Sequence, residues 1–206
     1  TGLITLNIAE ADDAEREKRR VSMGEPYRTL LGHFRHEVGH YYWERLVRDR
    51  GNTDRYRQLF GDETQDYGEA LKRHYEAGAP ADWQAAFVSA YATAHPWEDF
   101  AETWAHYIHM VDGLETARSF GIKVRPAAKS ADQLAVEVDF QPYAAANAQD
   151  LVDDWVPLTV AINSVNRSIG QPDFYPFVLS PPVIDKLQFI HDIIHAEPPT
   201  DEPPTT

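Results

Sequence analysis

The sequence predicts a mainly helical protein of the α+β class, with a small strand element at its N-terminus. Apolar residues recur at helical spacing along most of the chain, whereas the clearest alternating, β-branched segment is Leu-Ile-Thr-Leu-Asn-Ile at residues 3–8. The chain has 206 residues, of which 43% are apolar. It is therefore long enough to bury a sizeable hydrophobic core in one domain, or in one domain with an appended subdomain.

Helix start and stop signals divide the chain into further elements. Asp66 and Glu69 form a capping box, and Pro96 is followed by acidic residues, as is typical of a helix N-terminus. With the apolar periodicity, these signals predict helices at residues 9–23, 26–50, 53–60, 66–77, 96–111, 149–169 and 181–195, and a short strand at 134–138. We expect three regions: an N-terminal region at 1–120, a helical part packed on it at 121–196 and a disordered tail at 197–206.

Composition excludes several classes of partner and site. The formal net charge is −14, so nucleic acid and anionic membrane surfaces are poor partners. The sequence contains no Cys, which excludes disulfides, thiolate metal sites and a cysteine nucleophile. No apolar segment reaches membrane-spanning length and no signal peptide is visible, so a cytoplasmic location is the default expectation. Because the sequence starts at Thr1 and not at Met, we also expect it to be a fragment.

The strongest functional motif is His36-Glu37-Val38-Gly39-His40, within the helix predicted for residues 26–50. Residues four apart lie on one face of a helix, so the imidazoles of His36 and His40 can hold one metal ion. Glu37 lies about 100° around the helix, where it can act on a water without binding the metal. Gly39 costs about 1 kcal/mol in a helix interior, which predicts close approach of another backbone or of the helix of Glu98. A buried helix with two core histidines is the structural alternative.

A third metal ligand must be His, Asp or Glu, because the chain lacks Cys. Glu98 and Glu102 form the best pair, since they lie four apart on one helix face. One can bind the metal while the other accepts a hydrogen bond from a ligand imidazole. Asp99, or Glu102 in place of Glu98, remains an alternative ligand because these residues share one helical turn.

Five other histidines are expected to lie outside the metal site. We expect a satisfied surface or core residue at His33, packing or supporting groups at His106 and His109, and solvent-exposed side chains at His191 and His195.

Two segments together carry a family resemblance. About fifty residues after the His-Glu-x-Gly-His motif comes Tyr91-Ala-Thr-Ala-His-Pro-Trp-Glu98-Asp-Phe-Ala-Glu102. This pair of segments resembles the gluzincin-type zincin peptidases. Within that group it is most similar to the lethal-factor-like peptidases. Those peptidases have the same Tyr, the same seven-residue step from the Tyr to the ligand Glu, and the same ending of an aromatic residue followed by Ala and Glu. Nearly the whole chain, including Asn163-Ser-Val-Asn166-Arg167-Ser-Ile-Gly170, also resembles a bacterial family of zinc-binding metallopeptidases.

The resemblance implies a zincin-like metallopeptidase domain acting on a peptide or protein substrate. Carried over residue by residue, it implies Zn²⁺ ligands at His36, His40 and Glu98, a general base at Glu37, an oxyanion donor at Tyr91 and a supporting carboxylate at Glu102. The chain departs from the family in having no cysteine-rich N-terminal ribbon and few predicted strands to align a peptide.

Other functions are compatible with the same residues. A catalytically silent metal-bearing fold could bind a protein partner, although a purely structural zinc site would need a fourth protein ligand and no Glu37. A metal-free helical interaction module is compatible with the acidic, aromatic-rich composition, and hydrolysis of a non-protein amide is compatible with the motif.

Overall fold

The computed structural model describes residues 3–4, 11–23 and 29–196. Within these ranges the chain is mainly helical, with a single two-stranded hairpin, which confirms the predicted predominance of helix. The predicted strand at residues 3–8 lies largely outside the described residues, and Leu3 and Ile4 have no regular secondary structure. The tail predicted to be disordered, residues 197–206, and Pro26 also lie outside them.

Seven α-helices follow one another along the described residues. They are α1 (Asp13–Met23), α2 (Leu30–Tyr42), α3 (Thr53–Phe60), α4 (Tyr67–Ala77), α5 (Pro96–Ser119), α6 (Ala148–Ser168) and α7 (Pro181–His195). The longest connection, residues 120–147, lies between α5 and α6. A π-helical segment, Trp43–Arg48, continues α2 without a break. The strands β1 (Lys123–Val124) and β2 (Val136–Glu137) pair antiparallel. In the described ranges, no helix is long and apolar enough to cross a lipid bilayer.

Side-chain caps explain where several of these helices begin. Asp66 accepts a hydrogen bond from the backbone N–H of Glu69 at 2.9 Å, as the predicted capping box requires. Thr29 caps α2 in the same way, so the motif helix is described from Leu30. Thr53 is the first residue of α3, so this helix has the span predicted for it.

Helix α5 is the centre of the molecule. It contacts α2, α3, α6 and α7, and it is buried along most of its length. The core residues around it include Phe100, Trp104, Met110, Leu114, Leu151, Trp155, Leu187 and Phe189. Because α5 is surrounded, its charged residues Glu98 and Asp99 are also buried, and each must find a partner inside the protein.

A buried ion pair fixes α7 against the start of α5. The Lys186 ammonium donates to Asp99 Oδ2 at 2.6 Å and to the carbonyl oxygen of Ala86 at 2.7 Å. The two charged side chains are almost fully buried, so neither charge is stabilised by water. Asp99 is thus engaged with α7.

Helices α2 and α5 approach each other closely at Gly39. A Cβ atom at this position would lie 3.0 Å from Ala101 Cα and 3.2 Å from Trp104 Cβ. This contact confirms the close approach of the Glu98 helix that the sequence predicts. It also brings the face of α2 that carries His36 and His40 onto the N-terminal half of α5.

Candidate metal centre

His36, His40 and Glu98 converge where α2 crosses α5. One ligand atom from each residue can be chosen so that all three lie within 4.8 Å of one another. The two imidazole Nε2 atoms are 3.1 Å apart. Glu98 Oε2 lies 3.0 Å from His36 Nε2, and Glu98 Oε1 lies 3.5 Å from His40 Nε2. Ligand atoms about 2.0–2.1 Å from a tetrahedral zinc ion are about 3.3 Å apart, so these spacings suit that ion.

The chemistry of the donor set also fits a cation. Glu98 is only 1% exposed, and its two carboxylate oxygens face the Nε2 atoms of His36 and His40. Burial raises the pKa of Glu98, but the hydrogen bonds and charges of His36 and His40 outweigh it and hold the pKa well below its usual range. Two imidazoles and one ionised carboxylate are the ligands that catalytic zinc sites use, and they leave a fourth position for water.

Glu102 supports the cluster from behind His36. Its Oε1 atom lies 2.7 Å from His36 Nδ1, and its Oε2 atom accepts a hydrogen bond from Ser89 Oγ at 2.6 Å. Burial raises the pKa of Glu102, but the His36 contact outweighs it and lowers the pKa to about 2. Both oxygens are engaged, so the geometry favours Glu98 over Glu102 as the third ligand. Asp99 is bound by Lys186, which removes it as an alternative.

Glu37 lies beside the cluster and remains open to solvent. Its side chain is 32% exposed, and its Oε1 atom lies 3.3 Å from His33 Nε2. The His33 contact lowers the pKa of Glu37, partial burial opposes it, and His36 and His40 lower it further. Glu37 is therefore an ionised carboxylate next to the metal ligands but outside the three-residue cluster. His33 contacts Glu37, an interaction that the sequence analysis did not anticipate.

Two tyrosines line the same cluster. The predicted Tyr91 has its ring centroid 6.0 Å from that of His36. Sequence reasoning missed Tyr67, whose hydroxyl donates to Glu98 Oε1 at 2.7 Å. Burial raises the pKa of both tyrosines, so both hydroxyls stay protonated at neutral pH and act as hydrogen-bond donors. The position of Tyr67 directly after the cap of α4 carries no motif that marks it as a site residue.

The remaining predicted histidines have separate partners. His106 Nδ1 lies 2.7 Å from the Tyr175 hydroxyl, and burial lowers the pKa of His106 to about 4, which keeps it neutral. His191 was expected to be solvent-exposed, and this is wrong: it is 4% exposed and lies 3.0 Å from the Tyr107 hydroxyl, because its face of α7 packs on α5. His195 is exposed as expected.

The Asn163–Arg167 sequence has a clear structural role. The Asn163 side chain donates to the carbonyl oxygen of Tyr175 at 2.8 Å and accepts from its N–H at 3.0 Å. Arg167 binds both carboxylate oxygens of Asp173, at 2.6 and 2.5 Å. Together these contacts hold segment 172–177 on α6. They therefore place the hydroxyl of Tyr175 on His106, one helical turn from Glu102.

Comparison with known proteins gives the family of the chain. Three uncharacterized proteins, one from Mycobacterium bovis and two from strains of Mycobacterium tuberculosis, are each 48% identical to it over 203 residues. The alignments cover 98% of this chain but only 57% of each relative. No solved structure gives a significant match. A family profile matches residues 1–193, and the chain therefore belongs to the family described as "Putative zinc-binding metallo-peptidase".

Proposed function

We propose that the chain is a zinc metallopeptidase that hydrolyses peptide bonds. The observation that carries the proposal is the buried cluster of His36, His40 and Glu98, which suits a tetrahedral cation in spacing and in charge. Membership of the zinc-binding family supports the choice of metal. We further propose that residues 1–120 form a zincin-like catalytic region and that residues 121–196 pack on it as a helical part.

Each residue of the site has a defined task in this proposal. Zn²⁺, when bound by His36, His40 and Glu98, acts as a Lewis acid and lowers the pKa of a coordinated water toward about 7. Glu102 accepts the Nδ1 hydrogen of His36, which fixes the tautomer and orientation of that ring. Tyr67 donates to Glu98 and so holds the carboxylate in place.

The proton transfers fall to Glu37. It accepts one proton as the water oxygen bonds to the peptide carbonyl carbon, and it delivers this proton to the amine nitrogen as the C–N bond breaks. The products are a carboxylic acid and a free amine. Tyr91 remains protonated beside the His36 ring and is assigned as a donor to the oxyanion that forms during attack. A solvent-accessible, ionised Glu37 is suited to this task.

The test compares Glu37→Gln with the matched control Glu76→Gln, which changes an exposed carboxylate on α4. Zinc content and hydrolysis of a peptide library are measured for both variants and for the unaltered chain. We expect Glu37→Gln to retain zinc and lose hydrolysis by about 100-fold or more, the typical contribution of a general base. If Glu37→Gln and the unaltered chain hydrolysed peptides at equal rates, Glu37 would not be the general base.

A second variant tests the metal site itself. His40→Ala removes one of three ligands and is expected to lower the zinc content of the purified protein. Full zinc stoichiometry in His40→Ala would contradict the site. An unaltered chain that holds zinc but cleaves no peptide would instead favour a catalytically silent, protein-binding fold.

A further inference from the structure

A cavity of about 520 Å³ lies between the first half of α2, the second half of α5, α6 and segment 172–177. Its volume is within the range of about 300–1,000 Å³ found for small-ligand sites. Five aromatic side chains contribute to its wall: Tyr143, Trp155, Phe174, Tyr175 and Phe177. The cavity therefore has the aromatic lining typical of a binding site, and the proposed hydrolysis does not use it.

The wall of the cavity is held in a fixed shape. A Cβ atom at Gly113 would lie 2.4 Å from Trp155 Cζ3, so only glycine allows the indole ring to lie directly on α5. Asn163 holds the backbone of Tyr175 through two hydrogen bonds. The Tyr175 and Phe177 rings contact each other with centroids 5.1 Å apart. These contacts fix both aromatic sides of the cavity before any ligand binds.

The charges in the wall leave one carboxylate without a counter-charge. Arg35 forms an ion pair with Asp112, which also accepts a hydrogen bond from Tyr143, and Arg35 Nη1 lies 2.6 Å from His109 Nδ1. Burial, followed by the charges of nearby groups, lowers the pKa of His109 to about 3, so this imidazole is neutral. Glu115 also lines the cavity, and in the described part of the chain no lysine or arginine forms an ion pair with its carboxylate. A carboxylate without a counter-charge in an aromatic wall favours a cationic ligand over a neutral or anionic one.

The cavity is within reach of a peptide at the proposed active site. Arg35, in its wall, adjoins His36 in α2, and His109 follows the proposed ligand Glu98 by eleven residues in α5. Eleven helical residues span about 16 Å, and an extended peptide covers this distance with about five residues. A substrate held near Glu37 can therefore place a side chain in the cavity.

We propose that this cavity binds the positively charged side chain of a Lys or Arg residue in a peptide. The aromatic faces stabilise the cation through their negative π-surfaces, and Glu115 accepts its N–H hydrogens. The strongly acidic chain, with a formal net charge of −14, also attracts basic peptides. The assignment to a peptide rests on the proposed peptidase function, whereas the preference for a cation rests on the cavity alone.

The first experiment tests the cavity without hydrolysis. Benzylamine, benzyl alcohol and benzoate share one ring and differ in charge, and their binding to the chelator-treated protein is measured by calorimetry. We expect benzylamine to bind at least about tenfold more tightly than the other two probes, because a hydrogen bond to a charged group exceeds a neutral one. Glu115→Gln should abolish this preference, and the matched control Glu76→Gln should retain it. Equal binding of benzylamine and benzyl alcohol, or no binding of benzylamine, would overturn the proposal, as would an unchanged preference in Glu115→Gln.

The second experiment tests the link to peptides. Peptides that contain arginine, or its neutral isostere citrulline, about five residues from the scissile bond are compared as substrates of the zinc-loaded protein. We expect Glu115→Gln to raise KM for the arginine peptide about tenfold, with kcat and the citrulline peptide little changed. Cation binding without hydrolysis of any peptide would leave the cavity assignment standing and contradict the peptidase. Hydrolysis with no preference for arginine would contradict the role of the cavity in substrate binding and leave the peptidase standing.

Discussion

Replacing Gly39 with Ala tests the geometry that brings the metal ligands together. The new Cβ atom would lie 3.0 Å from Ala101 Cα and 3.2 Å from Trp104 Cβ, whereas carbon atoms prefer separations of about 3.5–4.0 Å. Ala101 is fully buried, and Trp104 is stacked on Tyr42, so neither can move aside easily. Overpacking of this kind costs about 1–3 kcal/mol, and the better helix propensity of Ala returns about 1 kcal/mol.

We therefore expect Gly39→Ala to destabilise the protein by about 1 kcal/mol, which lowers the melting temperature by about 2–4 °C for a chain of this size. Zinc affinity should fall as well, because α2 must shift by a few tenths of an ångström relative to Glu98, and metal sites tolerate about 0.2 Å. The measurements are thermal unfolding of the metal-free protein and zinc titration against a competing chelator.

Gly68→Ala is the matched control. Gly68 lies in the first turn of α4, and a Cβ atom there would meet only Asp66 Oδ1, at an ordinary 3.5 Å. This variant should raise the melting temperature through helix propensity alone and leave zinc affinity unchanged. If Gly39→Ala stabilised the protein as Gly68→Ala does, with unchanged zinc affinity, the argument from close packing would be refuted.

Two further predictions concern the carboxylates next to the metal ligands. Glu102→Ala should weaken zinc binding by about 10–100-fold, because it removes the hydrogen-bond acceptor for His36 Nδ1. Zinc affinity is measured by competition with a chelator. An unchanged affinity would show that Glu102 does not support the site. Lys186→Met should lower the free energy of unfolding by about 3–5 kcal/mol in chemical denaturation, since it leaves the buried Asp99 without its partner. The control Lys72→Met, at an exposed position on α4, should change the free energy of unfolding by less than about 0.5 kcal/mol. If the two substitutions lowered the free energy of unfolding equally, the buried ion pair would not be important for stability.

The sequence predicts the helices and the pair of His36 and His40 well because their signals are local. The spacing of His36 and His40 is a property of one helix, and Pro96 with the acids after it marks the start of α5. The predicted end of that helix at residue 111 is too early. The helix continues through Gly113 to Ser119, because Trp155 from α6 fills the space beside the glycine.

Features that depend on contacts between distant segments are not visible in the sequence. Tyr67 reaches Glu98 only because α4 lies beside the start of α5, and no spacing rule connects the two residues. The sequence predicts that His191 is exposed to solvent. It is buried instead, because the Tyr107 hydroxyl on α5 provides a hydrogen-bond partner for its ring. Lys186 and Asp99 are separated by 87 residues, so their pairing follows from the packing of α7 on α5 and not from any motif. Polar residues that satisfy each other inside a core are therefore the hardest part of a site to predict from one sequence.

The carboxylates that suit the site to zinc also stabilise a proton on the His36 imidazole when no metal is present. Burial lowers the pKa of His36, but Glu102 and Glu98 outweigh it and raise the pKa to about 10, so the metal-free ring carries a proton on both nitrogens at neutral pH. Zn²⁺ requires the lone pair of Nε2, the atom that faces Glu98, so metal binding must release this proton. Zinc affinity should then rise about tenfold per pH unit from pH 7 to about 8.5 through this group alone, since both values lie below the pKa of His36. Calorimetry at pH 7.5 in buffers of different ionisation enthalpy should detect about one proton released from His36 for each zinc ion bound. An affinity that is equal at pH 7 and pH 8.5, with no proton released, would contradict a protonated His36 between the two carboxylates.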